Sequence, residues 1–180
     1  MEKEIIDVVD TAIKIGLGAL ISGVTTYFLT KNTHSNDKKK SLIEKRVSVL
    51  EFSTENIDPY FHALSEFMAR VDGILRAGEK PGKKTDEDWE LLNIIEFDND
   101  LVKSRAARGV AMSRLRLIGG KDIIRKLSKI AIIEDELRQQ VIFNKTIPTN
   151  QQLVDYNNRI REEKNKFYTL LENEFSSTYS

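Results

Sequence analysis

A chain of 180 residues has room for one domain and a short additional segment. It contains no cysteine, which excludes a disulfide framework and any Cys-based zinc site, and its two histidines, His34 and His62, are too few for a histidine-rich metal centre. The formal net charge is zero, so no global positive field marks a nucleic-acid binder; no DNA binding, metal or cofactor is expected.

The first element is an uncharged run, Ile15 to Thr30, reading IGLGALISGVTTYFLT. Acidic residues precede it (Glu2, Glu4, Asp7 and Asp10 against Lys3), and bases follow it (Lys31, Lys38, Lys39, Lys40, Lys45 and Arg46 against Asp37 and Glu44). Lys and Arg next to a membrane helix stay on the cytoplasmic side, so this pattern predicts one span with its amino end outside. A bilayer core asks for about 20 apolar residues, more than the run supplies. Extending it upstream reaches Ile5, Ile6, Val8 and Val9, with Lys14 snorkelling to the outer interface. A signal peptide is the first alternative, but it wants a basic start and a small-residue cleavage site, and neither is present. A buried core helix is the second.

Along this helix small residues recur at alternating steps of four and three: Ala12, Gly16, Ala19, Gly23, Thr26 and Thr30. Such a seam lets membrane helices approach closely, and its average step matches left-handed packing. It predicts a homo-oligomer, with a ring around a pore as one form; Gly and Thr are also simply common in membrane helices. Asp7, Asp10 and Lys14 share another face. They are either charges at the outer mouth of a pore or interfacial anchors.

Residues 1–31 are thus read as a transmembrane helix, 32–41 as a basic juxtamembrane linker, 42–175 as a cytoplasmic helical bundle and 176–180 as a frayed tail. In the bundle, Leu42, Ile43, Val47 and Leu50 form a helical stripe over Ser41 to Phe52. Asp58-Pro59 is read as opening the next helix, with Asp as N-cap and Pro at the first position. Gly78 to Lys84 reads as an exposed, mobile basic loop. Thr85 with Asp88 resembles a capping box before Trp89, Leu92, Ile95 and Phe97. A break is expected at Phe97 to Asp100, then a helix from Leu101 to Ile118 stopped by Gly119-Gly120. A further helix runs from Ile123 towards Phe143. After Pro148, Thr149 or Asn150 caps a last helix. No strand alternation is visible, so the fold class is all-α, with four to six helices.

Charge is segregated along this bundle. Asp86 to Asp100 is acidic throughout; Lys103 to Lys126 is basic with only Asp122 opposing. Arg105, Arg108 and Arg116 fall in one sector of a helix, beside the small or apolar Val102, Ala106, Gly109, Val110, Ser113 and Leu117. The arginine row has three readings: pairing with the acidic block within or between protomers, a site for an anion or RNA backbone, or a solvated face. His62 is the only candidate base on a well-formed helix. HEPN ribonucleases carry an Arg several residues before their His. Neither His62 nor His34 has one, so no catalysis is expected.

The layout resembles the small membrane accessory proteins of type VI-B CRISPR systems. The shared features are chain size, the run IGLGALISGVTTYFLT, the connector NTHSNDKKK and an all-helical, HEPN-like body. The resemblance implies a single-pass protein of the bacterial inner membrane with its carboxy-terminal domain in the cytoplasm. It implies a pore-like ring that depolarises the membrane once an RNA-guided ribonuclease has detected viral RNA. The alternatives are a membrane tether whose helical body docks a cytoplasmic partner and a membrane-anchored RNase.

Overall fold

The computed structural model describes the backbone of residues 2–178 and the side chains of residues 37–177. The chain is mostly α-helical, and divides into two units, Met1–Lys45 and Arg46–Ser180. The elements run α1 Glu2–Arg76, β1 Gly82–Lys83, α2 Asp86–Leu91, α3 Ile95–Leu117, α4 Lys121–Arg138, a π-helical turn Gln139–Phe143, β2 Thr146–Ile147 and α5 Asn150–Thr178. Among the described residues no helix is long and apolar enough to cross a membrane. The uncharged run, the small-residue seam (Ala12, Gly16, Ala19, Gly23, Thr26, Thr30) and the charges Asp7, Asp10 and Lys14 fall in the stretch of α1 whose side chains lie outside the described ones.

The second unit is a helical bundle built on 3.6-residue periodicity. In the part of α1 that belongs to it, Ile57, Tyr60, Leu64, Phe67 and Val71 are buried on one face. Across from them α4 supplies Leu127, Ile130 and Leu137, and α5 supplies Leu153, Ile160, Phe167 and Leu171. Burying a side chain such as Phe67 or Phe167 contributes about 2 kcal/mol of transfer free energy. An aromatic cluster joins α1 to α5: Phe61 meets the edge of Phe167 at 5.6 Å and lies 6.0 Å from Tyr168.

Four expectations need correction. First, Asp58-Pro59 does not open a helix; α1 continues through Pro59. Pro59 is exposed and its neighbours Ile57, Tyr60 and Phe61 are buried, so packing on that face outweighs the donor that proline lacks. Second, the break before α3 comes earlier, at Leu92 to Ile94. Asn93 takes a left-handed backbone (φ 46°), which Asn tolerates better than most residues. Phe97 to Asp100 lie inside α3, and Asp98 is held there by a buried partner described below. Third, Gly82–Lys83 pairs antiparallel with Thr146–Ile147, so the basic loop is tied down at its end. Gly82 has φ 121°, a conformation strained for any residue with a Cβ. Fourth, this two-residue pairing supplies strand structure where none was expected; it is too short to leave an alternation pattern.

Two helix starts follow their sequence signals. Thr85 Oγ1 accepts from the Asp88 amide at 3.2 Å at the start of α2. Before α5, Thr149 Oγ1 accepts from the Gln152 amide at 3.2 Å, and Gln152 Oε1 accepts from the Thr149 amide at 2.9 Å. That reciprocal pair is a capping box with Gln at the third position. Between α3 and α4, Gly119 adopts φ 78° and the Gly120 amide donates to the Leu115 carbonyl at 3.0 Å, closing α3 as a glycine C-cap does.

Candidate functional site

Two features of the second unit stand out: a buried charge cluster and an open groove. The cluster centres on Glu134 of α4, which is fully buried. Its Oε1 accepts from Arg105 Nε at 2.7 Å. Its Oε2 accepts from Arg108 Nη1 at 2.8 Å and from the Tyr60 hydroxyl at 2.7 Å. Arg105 also donates to Asp135 at 2.5 Å, and Arg108 donates to the Tyr60 oxygen at 2.9 Å while its guanidinium lies 4.7 Å from the centre of the Tyr60 ring. Two cations therefore meet two carboxylates, and both oxygens of Glu134 are satisfied, as a buried ion requires. Burial, and then the carboxylate of Glu134, push the Tyr60 phenol far above its ordinary range. Burial lowers the Arg105 pKa more than any single partner raises it, but the bonds and charges of Glu134 and Asp135 together outweigh it and the pKa is raised.

A second buried pair joins α3 to α4. Arg138 Nε and Nη2 donate to the two carboxylate oxygens of Asp98 at 2.5 and 2.9 Å, a fork-to-fork arrangement. The ring of Phe143, in the π-helical turn, lies 5.4 Å from the Arg138 guanidinium.

The predicted arginine row is therefore divided. Arg105 and Arg108 turn inward and are neutralised within the chain, by Glu134 and Asp135 of α4 and not by the acidic block. Arg116 is exposed and has no hydrogen-bond or ion-pair partner among the described residues. The acidic block spends its charges separately: Asp98 on Arg138, Asp86 on Lys145 and Asp100 on Lys103. The bond from Lys145 holds the Asp86 carboxyl below the usual carboxylate range. His62 lies on the exposed side of α1. Among the described residues no three His, Cys, Asp or Glu side chains gather as a metal site.

Glu134 and Asp98 could have been found in the sequence. Ile123, Leu127, Ile130, Glu134 and Leu137 step by four and three along α4, so Glu134 occupies a core-facing position among aliphatic residues. Ile94, Asp98 and Leu101 repeat that spacing. A carboxylate inside an apolar stripe implies a buried basic partner.

The groove lies between α1 and α5 and has a volume of about 690 Å³, within the range of ligand and peptide sites. Leu64, Met68, Leu153 and Ile160 form its apolar floor. Arg76, Arg161 and Lys164 stand on its rim with one opposing acid, Asp72. Asp72 accepts from Arg76 at 2.6 Å; among the described residues Arg161 and Lys164 have no acidic partner, Arg161 donating to the neutral Asn158 and Lys164 lying 4.7 Å from the centre of the Phe61 ring. The groove thus joins a hydrophobic trough to a positive edge. No family model matches the chain, and neither does any curated protein or solved structure.

Proposed function

We propose that this protein is a membrane-anchored docking protein. The uncharged run Ile15 to Thr30, acidic on one side and basic on the other, supports an anchor within residues 1–31 and a helical body in the cytoplasm. The observation that carries the docking role is the groove between α1 and α5, with its apolar floor and its excess of Arg161 and Lys164 on the rim. That chemistry suits an acidic amphipathic helix, whose apolar face covers the floor while its carboxylates meet the rim. The buried ion pairs tie α3 to α4 and, through Tyr60, to α1, so their role is structural, and the protein acts by binding and not by catalysis.

Two measurements test this. The full chain should sediment with membranes and stay there after an alkaline carbonate wash; recovery as a soluble particle without detergent overturns the anchor. Purified in detergent, it should bind a fluorescent Leu/Glu amphipathic peptide, and bind a Leu/Lys peptide of the same length much more weakly. Val154, an exposed apolar residue of the groove lining, and Lys164 are the places to test it: Val154→Asp and Lys164→Glu should each weaken binding of the acidic peptide. Equal affinity for the two peptides, or no effect of either substitution, overturns the groove as the docking site.

A pore-like effector of antiviral defence is the second reading, favoured by the seam Ala12, Gly16, Ala19, Gly23, Thr26 and Thr30. The resemblance to the type VI-B accessory proteins, with its HEPN-like body, belongs to this reading. It requires a large closed ring in detergent and loss of membrane potential in cells making the protein with its triggering ribonuclease; a small particle ends it.

A further inference from the structure

We propose that α3 is a second, independent self-association element, through which two copies of this chain pack antiparallel about a two-fold axis. One face of α3 carries Ile95, Val102, Ala106, Val110 and Leu117 and leaves all of them in solvent. The four larger ones are 45, 42, 44 and 72 % exposed. A row of aliphatic side chains this open is more than the scattered apolar residues of an ordinary surface. Asn99, Gly109 and Ser113 lie in the same face, and a Cβ built on Gly109 would meet nothing within 4 Å. The centre of the face is therefore low and flat, so another helix could approach closely.

Charge selects the occupant and its direction. At the start of α3 the exposed acids are Glu96 and Asp100, the latter already paired with Lys103; at its end the exposed charges are basic, Arg114 and Arg116. Glu96 has no ion-pair partner among the described residues, and Arg114 contacts only the Phe52 ring, at 5.3 Å. A parallel pair of α3 helices would put acid against acid and arginine against arginine. An antiparallel pair reverses both clashes into attractions.

The antiparallel register is self-complementary. With Ala106 facing its own copy, Val102 faces Val110 of the second copy and Ile95 faces Leu117. Glu96 then comes within one turn of Arg114 of the second copy on the same flank, given the 3.6-residue period. Each contact occurs twice, save that of Ala106 with its own copy on the axis, as an isologous two-fold interface requires. The face spans about 33 Å at 1.5 Å per residue, long enough for six turns of contact.

The absence of native cysteine makes the test direct. Full-length chain in detergent, carrying one introduced cysteine, is oxidised with copper phenanthroline and the crosslinked dimer is measured. Ala106→Cys should crosslink efficiently. Val102→Cys alone and Val110→Cys alone should not, and their mixture should. Failure of Ala106→Cys, or self-crosslinking by Val102→Cys as strong as the mixture, overturns the proposal. In the Ala106→Cys background, Glu96→Arg and Arg114→Glu should each lower the crosslinked fraction, and the double reversal should restore it. If the double reversal remains as weak as the singles, the register is wrong. Fluorescence of Trp89, the sole and buried tryptophan, verifies that each variant is folded.

Discussion

At the scale of single residues, the second unit is organised by a few buried polar groups whose value lies in being fully paired. Glu134 holds Arg105, Arg108 and Tyr60 at once. Removing its charge leaves two guanidinium groups facing each other in a largely dry site, and breaking a buried pair from one side costs more than the pair itself contributes. Glu134→Gln should therefore destabilise the body by about 3 kcal/mol, the lower end of the range for such losses because Arg105 keeps some access to water. Urea unfolding followed through Trp89 fluorescence measures this; a change no larger than that of an ordinary surface substitution would mean the cluster is dispensable. Tyr168 gives the molecule a dependence on alkaline pH. Burial, and then its bond to Asp58 at 3.0 Å, push the phenol from 10.0 up to about 12. A group whose folded pKa is raised contributes stability that is complete below the unfolded value and is lost as pH climbs through the folded one. The window is therefore pH 10 to 12, and Tyr60, raised in the same direction, acts with the same sign. Tyr168→Phe should flatten the fall in urea midpoint between pH 10 and 12 while leaving Tyr60 to supply the remaining slope; an unchanged slope would assign the whole effect to other groups.

At the scale of elements, signals confined to a few neighbouring residues were legible and those decided by packing were not. The Thr85 and Thr149 caps and the Gly119-Gly120 stop need only local hydrogen bonds, and the sequence pattern locates each. Pro59 misleads because its local preference for a helix start is real but loses to the buried stripe on either side of it. The break at Asn93 was hidden because its neighbours Leu92, Ile94 and Ile95 read as more helix, and the deciding fact is a left-handed backbone angle. The Gly82–Lys83 ladder depends on Thr146–Ile147, more than sixty residues away, which no local pattern announces. In α1, proline at position 59 cannot donate to the carbonyl four residues earlier, at Glu55. Pro59→Ala supplies that donor at an exposed site and raises helix propensity, though it also frees the unfolded chain. The net gain should be about 1 kcal/mol, read as a higher urea midpoint by Trp89 fluorescence. A lower midpoint would mean that α1 depends on the stiffness of proline at that point.

At the scale of the whole molecule, the second unit presents two separate surfaces, the groove and the open face of α3. The groove joins Phe61 to Arg76 with Asn150 to Lys164, stretches so far apart in the chain that their periodicity alone could not pair them. The α3 face is visible in the sequence as a run of small and apolar residues beside the arginine row, but only its exposure in the fold makes it surface and not core. The proposed small-residue seam of the anchor is a third contact, made in lipid, where close backbone approach replaces hydrophobic drive. Gly16→Leu combined with Gly23→Leu puts bulk on that seam without adding a charge. If the anchors assemble the protein, the detergent particle of this variant should shrink from a larger oligomer to a dimer, and Ala106→Cys in the same chain should still crosslink through α3. Light scattering on the detergent complex gives the size and the oxidised gel gives the crosslink. A particle that keeps its size would make the seam incidental, and a particle that falls to a monomer with the crosslink lost would make the α3 contact dependent on the anchor. Retention of the dimer alone separates a body that pairs in the cytoplasm from a helix that gathers such pairs in the bilayer.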